Sequence, residues 1–455
     1  MSLRALLTPY LAIVLALFAT PLAADSEQLL FRVAGSNTVG ARLAPFCARD
    51  YLTELGLVSV EIMASPVSNE QIIRGRVDGT EHWQRIAIAA HGSSTGFKAL
   101  LAGQADVVIS SRPIKAKEVQ KLVKFGDMRS PQSEHTVAID GLALLVHPSN
   151  PVASVTVQQA AQIFSAEINN WQQLGGEDLP ITLYARDHRS GTWDTFKNLV
   201  LGSRYQLHDS ALRFESNDAL SDRVAADVGA IGFASLASVR KAKLLAVGDD
   251  NTQPLLPRRL TVATEDYPLS RRLFIYQPSD VTDQSEHVGA FIEHCLSERG
   301  QALVAEVGFV TQNIIAVDQP VYENAPEVYQ RLADRAQRLS LNFRFNNGSS
   351  LLDNKALKDI ERVTQYLSQP EQRGRNVYLV GFTDANNEQR HDQLIARFRA
   401  LSVQAKLMRE KIAVTESYSL GAFMPIASQS NNIAKLKNAR VEIWIERSVN
   451  PLSKR

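Results

Sequence analysis

Three short stretches of the chain concentrate hydroxyl-bearing residues: Gly35-Ser36-Asn37-Thr38, Gly92-Ser93-Ser94-Thr95-Gly96 and Arg186-Asp187-His188-Arg189-Ser190-Gly191-Thr192. Each follows a short apolar run of strand type and precedes apolar residues at helical spacing. The chemistry such a turn offers is anion binding, because hydroxyls and free backbone N–H groups then stand at the positive end of a helix dipole. One serine in that position is an ordinary helix cap. Three such turns, the last with two arginines, can converge on one small oxyanion.

The elements that must position these turns read as alternating strands and helices. Strands are expected over 29–34, 85–89, 105–109 and 181–185. The helices after the turns show apolar faces: Val39, Leu43, Phe46, Cys47 and Tyr51; Phe97, Leu100 and Leu101; Trp193, Phe196 and Val200. Alternation continues to about residue 315 and predicts an α/β fold with largely parallel sheets. The polar piece 65–83, with Gly75 and Gly79, reads as a surface hairpin or loop. A lysine-rich helix follows Pro113, and 136–147 is a strongly apolar strand ending at His147-Pro148.

The chain opens with one arginine, an apolar run and small residues before its first acid, so 1–24 is expected to be a signal peptide and the rest an exported protein. Its 49 basic and 48 acidic residues balance, which argues against nucleic acid or anionic lipid as the main partner. With 455 residues and 45% hydrophobic content, the chain suits two or three packed domains. Cys47 and Cys295, its two cysteines, fall on apolar helical faces and read either as buried thiols or as a disulfide. No His or Cys cluster has metal-ligand spacing, so neither a metal nor another cofactor is expected.

Gln162-Ile163-Phe164-Ser165-Ala166-Glu167-Ile168-Asn169-Asn170-Trp171 resembles the IFSGxIxNW helix and turn of periplasmic phosphate-binding proteins, the solute receptors of phosphate ABC transporters. Gly229-Ala230-Ile231-Gly232-Phe233 is similar to that family's GAIGY strand, and 186–192 to its RxxxSGT anion loop. The resemblance covers 27–312. It implies two α/β lobes joined by crossovers, one of them expected at 148–151, with the ligand between the lobes. Carried over by position, it places Ser36, Thr38, Ser93, Ser94, Arg186, Ser190, Gly191 and Thr192 around phosphate or a related oxyanion, with Asp187 orienting an arginine. It also makes an ABC transporter permease a candidate partner. One departure stands out: where the family carries an aspartate that accepts phosphate's proton, this chain has Ser111, followed by Arg112, which is read as a second positive contact.

A stretch with two prolines and three acids, 318–327, reads as an extended linker. Beyond it the pattern is strand (339–345), helix (354–367), strand (376–381), long helix (388–411) and two strands (417–420, 439–445), a smaller α/β sandwich. Thr383, Asp384, Arg399, Ala400 and Val403 match the TDxxGxxxxNxxLSxxRAxxV pattern of OmpA-like domains at its spacing, with Asn387 in place of its Gly, Asp392 of its Asn and Ile395-Ala396 of its Leu-Ser, so the stretch resembles that family. Gly421 to Pro425 and 438–443 are similar to its later pieces. That resemblance implies binding of peptidoglycan through Asp384 and Arg399, an acid and a base matching the ammonium and carboxylate of a diaminopimelate stem, with Asp392 and Arg440 beside them.

The expected organisation is a signal peptide (1–24), a two-lobed receptor domain (25–316), a linker (317–335) and an OmpA-like domain (336–448). The expected function is non-catalytic: an exported receptor for phosphate or a similar oxyanion, periplasmic and held at the cell wall or outer membrane. Two other classes remain open at this point. One is a wall-bound adaptor whose receptor domain binds a protein. The other is a serine hydrolase using Ser94 in the Gly92-x-Ser94-x-Gly96 motif, with Asp187 or Asp227 and His294.

Overall fold

A computed structural model describes residues 27–448 apart from 189, 250–251, 280–284, 322–323, 347–348, 386–387 and 428–436. The signal-peptide segment, Arg189 and Asn387 lie outside the described residues. The chain begins on β1 (Glu27–Gly35), then α1 (Asn37–Gly40) and α2 (Leu43–Glu54). β2 (Val58–Ala64), β3 (Glu70–Arg76) and β4 (Trp83–Ala89) form an antiparallel meander, so the 65–83 piece extends the sheet through β3. β4 runs parallel to β1, and α3 (Ser93–Leu101) returns the chain to β5 (Val107–Ser110), parallel on β1's other side.

After α4 (Ala116–Lys121) comes β6 (Glu134–Val146), thirteen residues long and buried from Thr136 onward. The second lobe is built from β7 (Ser154–Thr156), α5 (Val157–Phe164), β8 (Thr182–Arg186), α6 (Gly191–Phe196), β9 (Leu212–Phe214), α7 (Asn217–Ala226), β10 (Ala230–Ser235), β11 (Lys243–Leu244), β12 (Ala246–Gly248) and α8 (Arg259–Ala263). β13 (Ser270–Tyr276) then runs back antiparallel to β6 and β5, and α9 (Ser285–Leu296) and α10 (Glu298–Glu306) complete the first lobe. Ten of these strands form one continuous path, β2-β3-β4-β1-β5-β13-β6-β10-β8-β9, with β11 added on β6, while β7 and β12 pair separately.

That path holds two cores. Val137 and Ala138 of β6 pack with Phe31, Leu52, Ile109 and Phe291, whereas Ile139, Leu142 and Leu144 pack with Phe164, Phe196 and Phe233. β6 therefore crosses from one lobe to the other in mid-strand, with β13 paired alongside it. This corrects the crossover expected at 148–151, since Val152 already belongs to the second core. An unbroken apolar strand can traverse both lobes without a turn, and the prolines merely end it. Cys47 and Cys295 are free, buried and adjacent in the first core; burial, and next the Cys47 thiol, push the Cys295 thiol well above its ordinary pKa.

The remaining chain forms a separate sheet of order β14-β15-β18-β16-β17. Its elements are β14 (Ala316–Val317), α11 (Glu327–Arg335), β15 (Ala336–Arg344), α12 (Asn354–Ser368), β16 (Val377–Gly381), α13 (Gln389–Arg409), β17 (Glu416–Ser419) and β18 (Arg440–Glu446). α12 and α13 pack on one face through Ile360, Val363, Ala400 and Val403, and α11 packs near Trp444 on the other. The expected linker is thus largely folded into this unit. Tyr329, Leu332 and Ala333, three and four residues apart, bury one side of α11, and the acids and prolines before it masked that short stripe.

This unit sits on the crossover strands. Arg272 of β13 pairs with Glu265 (2.6 Å) and with Asp353 ahead of α12 (2.8 Å). Arg338 of β15 reaches Asp266 (2.7 Å), Asn342 bonds Asp266 and the Thr264 carbonyl, and Lys437 donates to the carbonyls of Tyr267 and Pro268.

Candidate functional site

The first turn is held at the end of β1, where Ser36 N–H donates to the Ile109 carbonyl (2.8 Å). Gly35 takes a positive φ of 142° there, and a Cβ would lie 2.0 Å from that same carbonyl, so only glycine brings Ser36 this close to β5. Ser36 is buried and its Oγ has no hydrogen-bond partner among the described residues. In the second turn, Gly92 precedes α3 and Ser93 Oγ accepts from Ser111 N (3.1 Å), with the Ser111 hydroxyl 3.4 Å away. The third turn ends β8. Ser190 N–H donates to Asp187 Oδ1 (3.0 Å), and Ser190 Oγ caps α6 by accepting from Thr192 N and Trp193 N (3.2 and 3.4 Å).

The first and third turns meet across the lobes. A Cβ placed on Gly191 would stand 2.6 Å from Thr38 Oγ1, 3.2 Å from Ser111 Oγ and 3.7 Å from Ser36 Oγ. Four positions from two lobes therefore enclose one point lined by hydroxyls, and a side chain at 191 would fill it. An unpaired buried hydroxyl costs free energy, roughly 1–3 kcal/mol. A ligand accepting from Ser36 recovers that cost.

Arg271 of β13, which the sequence reading did not single out, joins the group. It is buried, is paired with Asp140 (2.7 Å), donates to the Gly191 carbonyl (2.8 Å) and to Thr195, and comes within 3.5 Å of Thr38 Oγ1. Asp140 in turn accepts from Ser235 (2.8 Å), so both its oxygens are engaged. Arg186 is also buried, and its guanidinium donates to the carbonyls of Phe214 (3.1 Å) and Glu215 beside the third turn. Burial lowers its pKa, opposed by the nearby Asp187.

Two expected contributors bond to each other. Arg112 is bound by Glu118 through two bonds of 2.7 and 2.9 Å and donates to Ser94 Oγ (2.8 Å), and Ser94 is itself exposed. Burial disfavours the charge on Glu118, but the Arg112 hydrogen bonds outweigh it and hold that carboxyl below its ordinary range. Arg112 is thus paired with an acid and does not stand free as the second positive contact that the sequence reading expects. A hydrolase triad is not assembled either. His294 is held by Asp50 and Glu54, Asp227 accepts from Tyr184, and Ser94 bonds Arg112.

In the C-terminal unit, Arg399 of α13 is buried and donates to Thr383 Oγ1 (2.7 Å), which in turn donates to Asp384 Oδ1 (3.2 Å). The Arg399–Asp384 separation is 4.0 Å, and Arg399 Nε is buried without a partner among the described residues. Burial lowers the Arg399 pKa and Asp384 raises it. Asp392 is buried in the first turn of α13 rather than displayed to solvent. Arg440 lies over the Phe382 ring (3.8 Å) and binds Glu442 (3.2 Å) and the Met424 carbonyl, contacts that make it part of the packing under the sheet.

A two-lobed α/β fold with crossovers at β6 and β13 and a hydroxyl-lined point between the lobes defines a binding-protein architecture. Residues 70–299 match the model of the PBP superfamily domain, and the chain belongs to that superfamily. Residues 344–439 match the OmpA family. Among curated relatives, protein SphX of Synechococcus elongatus is 33% identical over 236 residues, covering 50% of this chain and 68% of the relative. Phosphate-binding protein PstS of Borreliella burgdorferi is 26% identical over 252 residues, covering 54% and 86%. The structure of an ABC-type phosphate transport receptor from Vibrio cholerae aligns at 27% identity and a TM-score of 0.47, covering 62% of this chain and 99% of that one.

Proposed function

We propose that this protein is an exported, non-catalytic receptor that closes on phosphate or a related tetrahedral oxyanion and is held to peptidoglycan by its C-terminal unit. The observation that carries the first half is the unpartnered Ser36 hydroxyl, buried where Thr38, Ser111 and Gly191 converge. Hydroxyls and N–H groups donate to the oxyanion, while Arg271 and Arg186 supply positive charge at its edges. The relatives whose names record phosphate binding support the same ligand. Asp140, the carboxylate paired with Arg271, has both oxygens engaged, by Arg271 and by Ser235.

For the second half, Asp384 and Arg399 offer an acid and a base on either side of Thr383, the pairing a zwitterionic diaminopimelate end requires. The match to the OmpA family supports this reading, and an envelope location follows from it. Delivery of the anion to an ABC transporter permease belongs to the same proposal, although a wall-held receptor favours local capture over shuttling.

The test is a titration of the full chain with phosphate, following the fluorescence of Trp193, which directly follows the third turn and is buried. Saturable binding weakened about tenfold by Thr38→Val, the cost of one lost hydrogen bond to an anion, is expected. A folded protein that binds neither phosphate nor sulfate would refute the receptor reading. Co-sedimentation with purified peptidoglycan, lost in Asp384→Ala, checks the anchor.

A further inference from the structure

α13 is apolar on two opposite sides. Asp392, Ala396, Arg399, Ala400, Val403 and Leu407 are buried against the sheet. Directly across the helix run Leu394, Phe398, Leu401, Ala405 and Met408, separated by four, three, four and three residues, and all are exposed. Leu394 is 47% exposed, Phe398 50%, Leu401 43% and Met408 61%, which sets them apart from core residues that merely reach the surface. Leu351, 70% exposed, adjoins the stripe through the Ser402 hydroxyl, which donates to the Ser350 carbonyl (3.0 Å).

Spacing identifies the shape of what covers this face. A 4-3-4-3 repeat is the narrow seam by which one helix packs on another, two positions in seven, whereas a bilayer-binding face is broader. From Leu394 to Met408 the seam extends about 21 Å at 1.5 Å per residue. Charge identifies the partner. The positions bordering the seam within α13 are Arg390, Arg397 and Gln404 on one side and Ile395, Ser402 and Arg409 on the other, with no acid among them. Two copies of this helix would bring these bases no acid to pair with, whereas a partner helix with acidic borders supplies one for each.

We propose that the outer face of α13 docks an amphipathic helix of another protein, one with an apolar 3-4 repeat bordered by Glu or Asp. Such a partner pairs its acids with Arg390, Arg397 and Arg409 while covering Phe398 and Leu401. The site is separate from Asp384, which stands on the loop before the helix, so docking and wall binding use different surfaces of one domain.

The experiment titrates the full chain into a fluorescently labelled synthetic peptide with leucine at its seam positions and glutamate at both borders, reading anisotropy. Saturable binding is expected, reduced at least fivefold by Phe398→Gln and by Arg397→Glu, and reduced again for a peptide with lysine borders. Both substitutions are at exposed positions, and circular dichroism of each variant verifies that it is folded. Failure to bind the acidic peptide, or equal binding of the lysine-bordered one, overturns the proposal. So does binding of the chain to vesicles of anionic phospholipid that Phe398→Gln abolishes, or concentration-dependent self-association that the same variant abolishes, since either assigns the face to a different occupant.

Discussion

Arg271 and Arg272 are consecutive on β13, yet strand alternation turns them into two regions that use charge in opposite ways. Arg271 enters the cleft, where it pairs with Asp140 and its remaining edge touches Gly191 and Thr38. Most donors around it are neutral hydroxyls, and one of them, Ser36, has no partner among the described residues. Arg272 enters the seam between the two units, where Glu265 and Asp353 flank it and the surrounding Arg338, Asn342 and Asp266 are bonded to each other. The difference separates a region whose spare donor is a neutral hydroxyl from one whose charged groups pair across the two units, with Arg338 Nε buried and without a partner among the described residues. Burial works against the charge on Glu265, but Arg272 outweighs it and holds that carboxyl far below its ordinary range. A seam of this kind is satisfied only while both units are docked.

Breaking each arginine separately tests that contrast. Arg271→Ala leaves Asp140 buried and unpaired, and loss of about 3–5 kcal/mol in unfolding free energy is expected, together with loss of phosphate binding. Thermal unfolding and the Trp193 titration measure the two. Arg272→Ala acts on a pair that is partly open to water, so a smaller loss, about 2 kcal/mol, is expected. Here phosphate affinity stays within about threefold of the parent, less than the tenfold that 1.4 kcal/mol represents. A collapse of affinity in Arg272→Ala with the fold intact would erase the distinction between the regions.

Two further changes sharpen it. In the cleft, Ser111→Asp introduces a carboxylate beside Ser93 and Gly191, able to accept a proton from phosphate and to repel sulfate. The parent is expected to bind the two ions within about tenfold of each other, and the variant to favour phosphate by a further ~1–3 kcal/mol, as measured by calorimetry. In the seam, burial and then Arg344 lower the Lys437 pKa to about 8. The folded state then binds fewer protons than the unfolded one between this value and the ordinary lysine range, so raising the pH from 8 to 10 adds stability from this group. A Lys437→Met variant loses that rise, which unfolding midpoints at the two pH values detect.

The sequence carried the cleft unevenly. The turns at 36–38, 93–94 and 190–192 were legible because each couples an apolar strand, a hydroxyl cluster and a helix within some fifteen residues. Arg271 was not, because a strand reading Ser-Arg-Arg-Leu-Phe-Ile-Tyr holds two arginines on opposite faces, and only its pairing with β6 decides which one meets Asp140. Arg112 misled for a similar reason. Its proximity to Ser111 in the chain suggested a shared site, while Glu118, six residues on, captures it. In the C-terminal unit the helix at 354–368 and the strand at 377–381 were plain from their periodicity, whereas α11 was hidden by its short apolar stripe. The seam was invisible throughout, since its partners across the two units lie 72 to 170 positions apart in the chain.

A crystal structure of the full chain grown with phosphate tests the central claim most directly. The anion is predicted between the lobes, accepting hydrogen bonds from Ser36 Oγ and Thr38 Oγ1 with Ser111 and Gly191 against it. Phosphate bound elsewhere, or a cleft in which Ser36 remains without a partner at saturating phosphate, would contradict it.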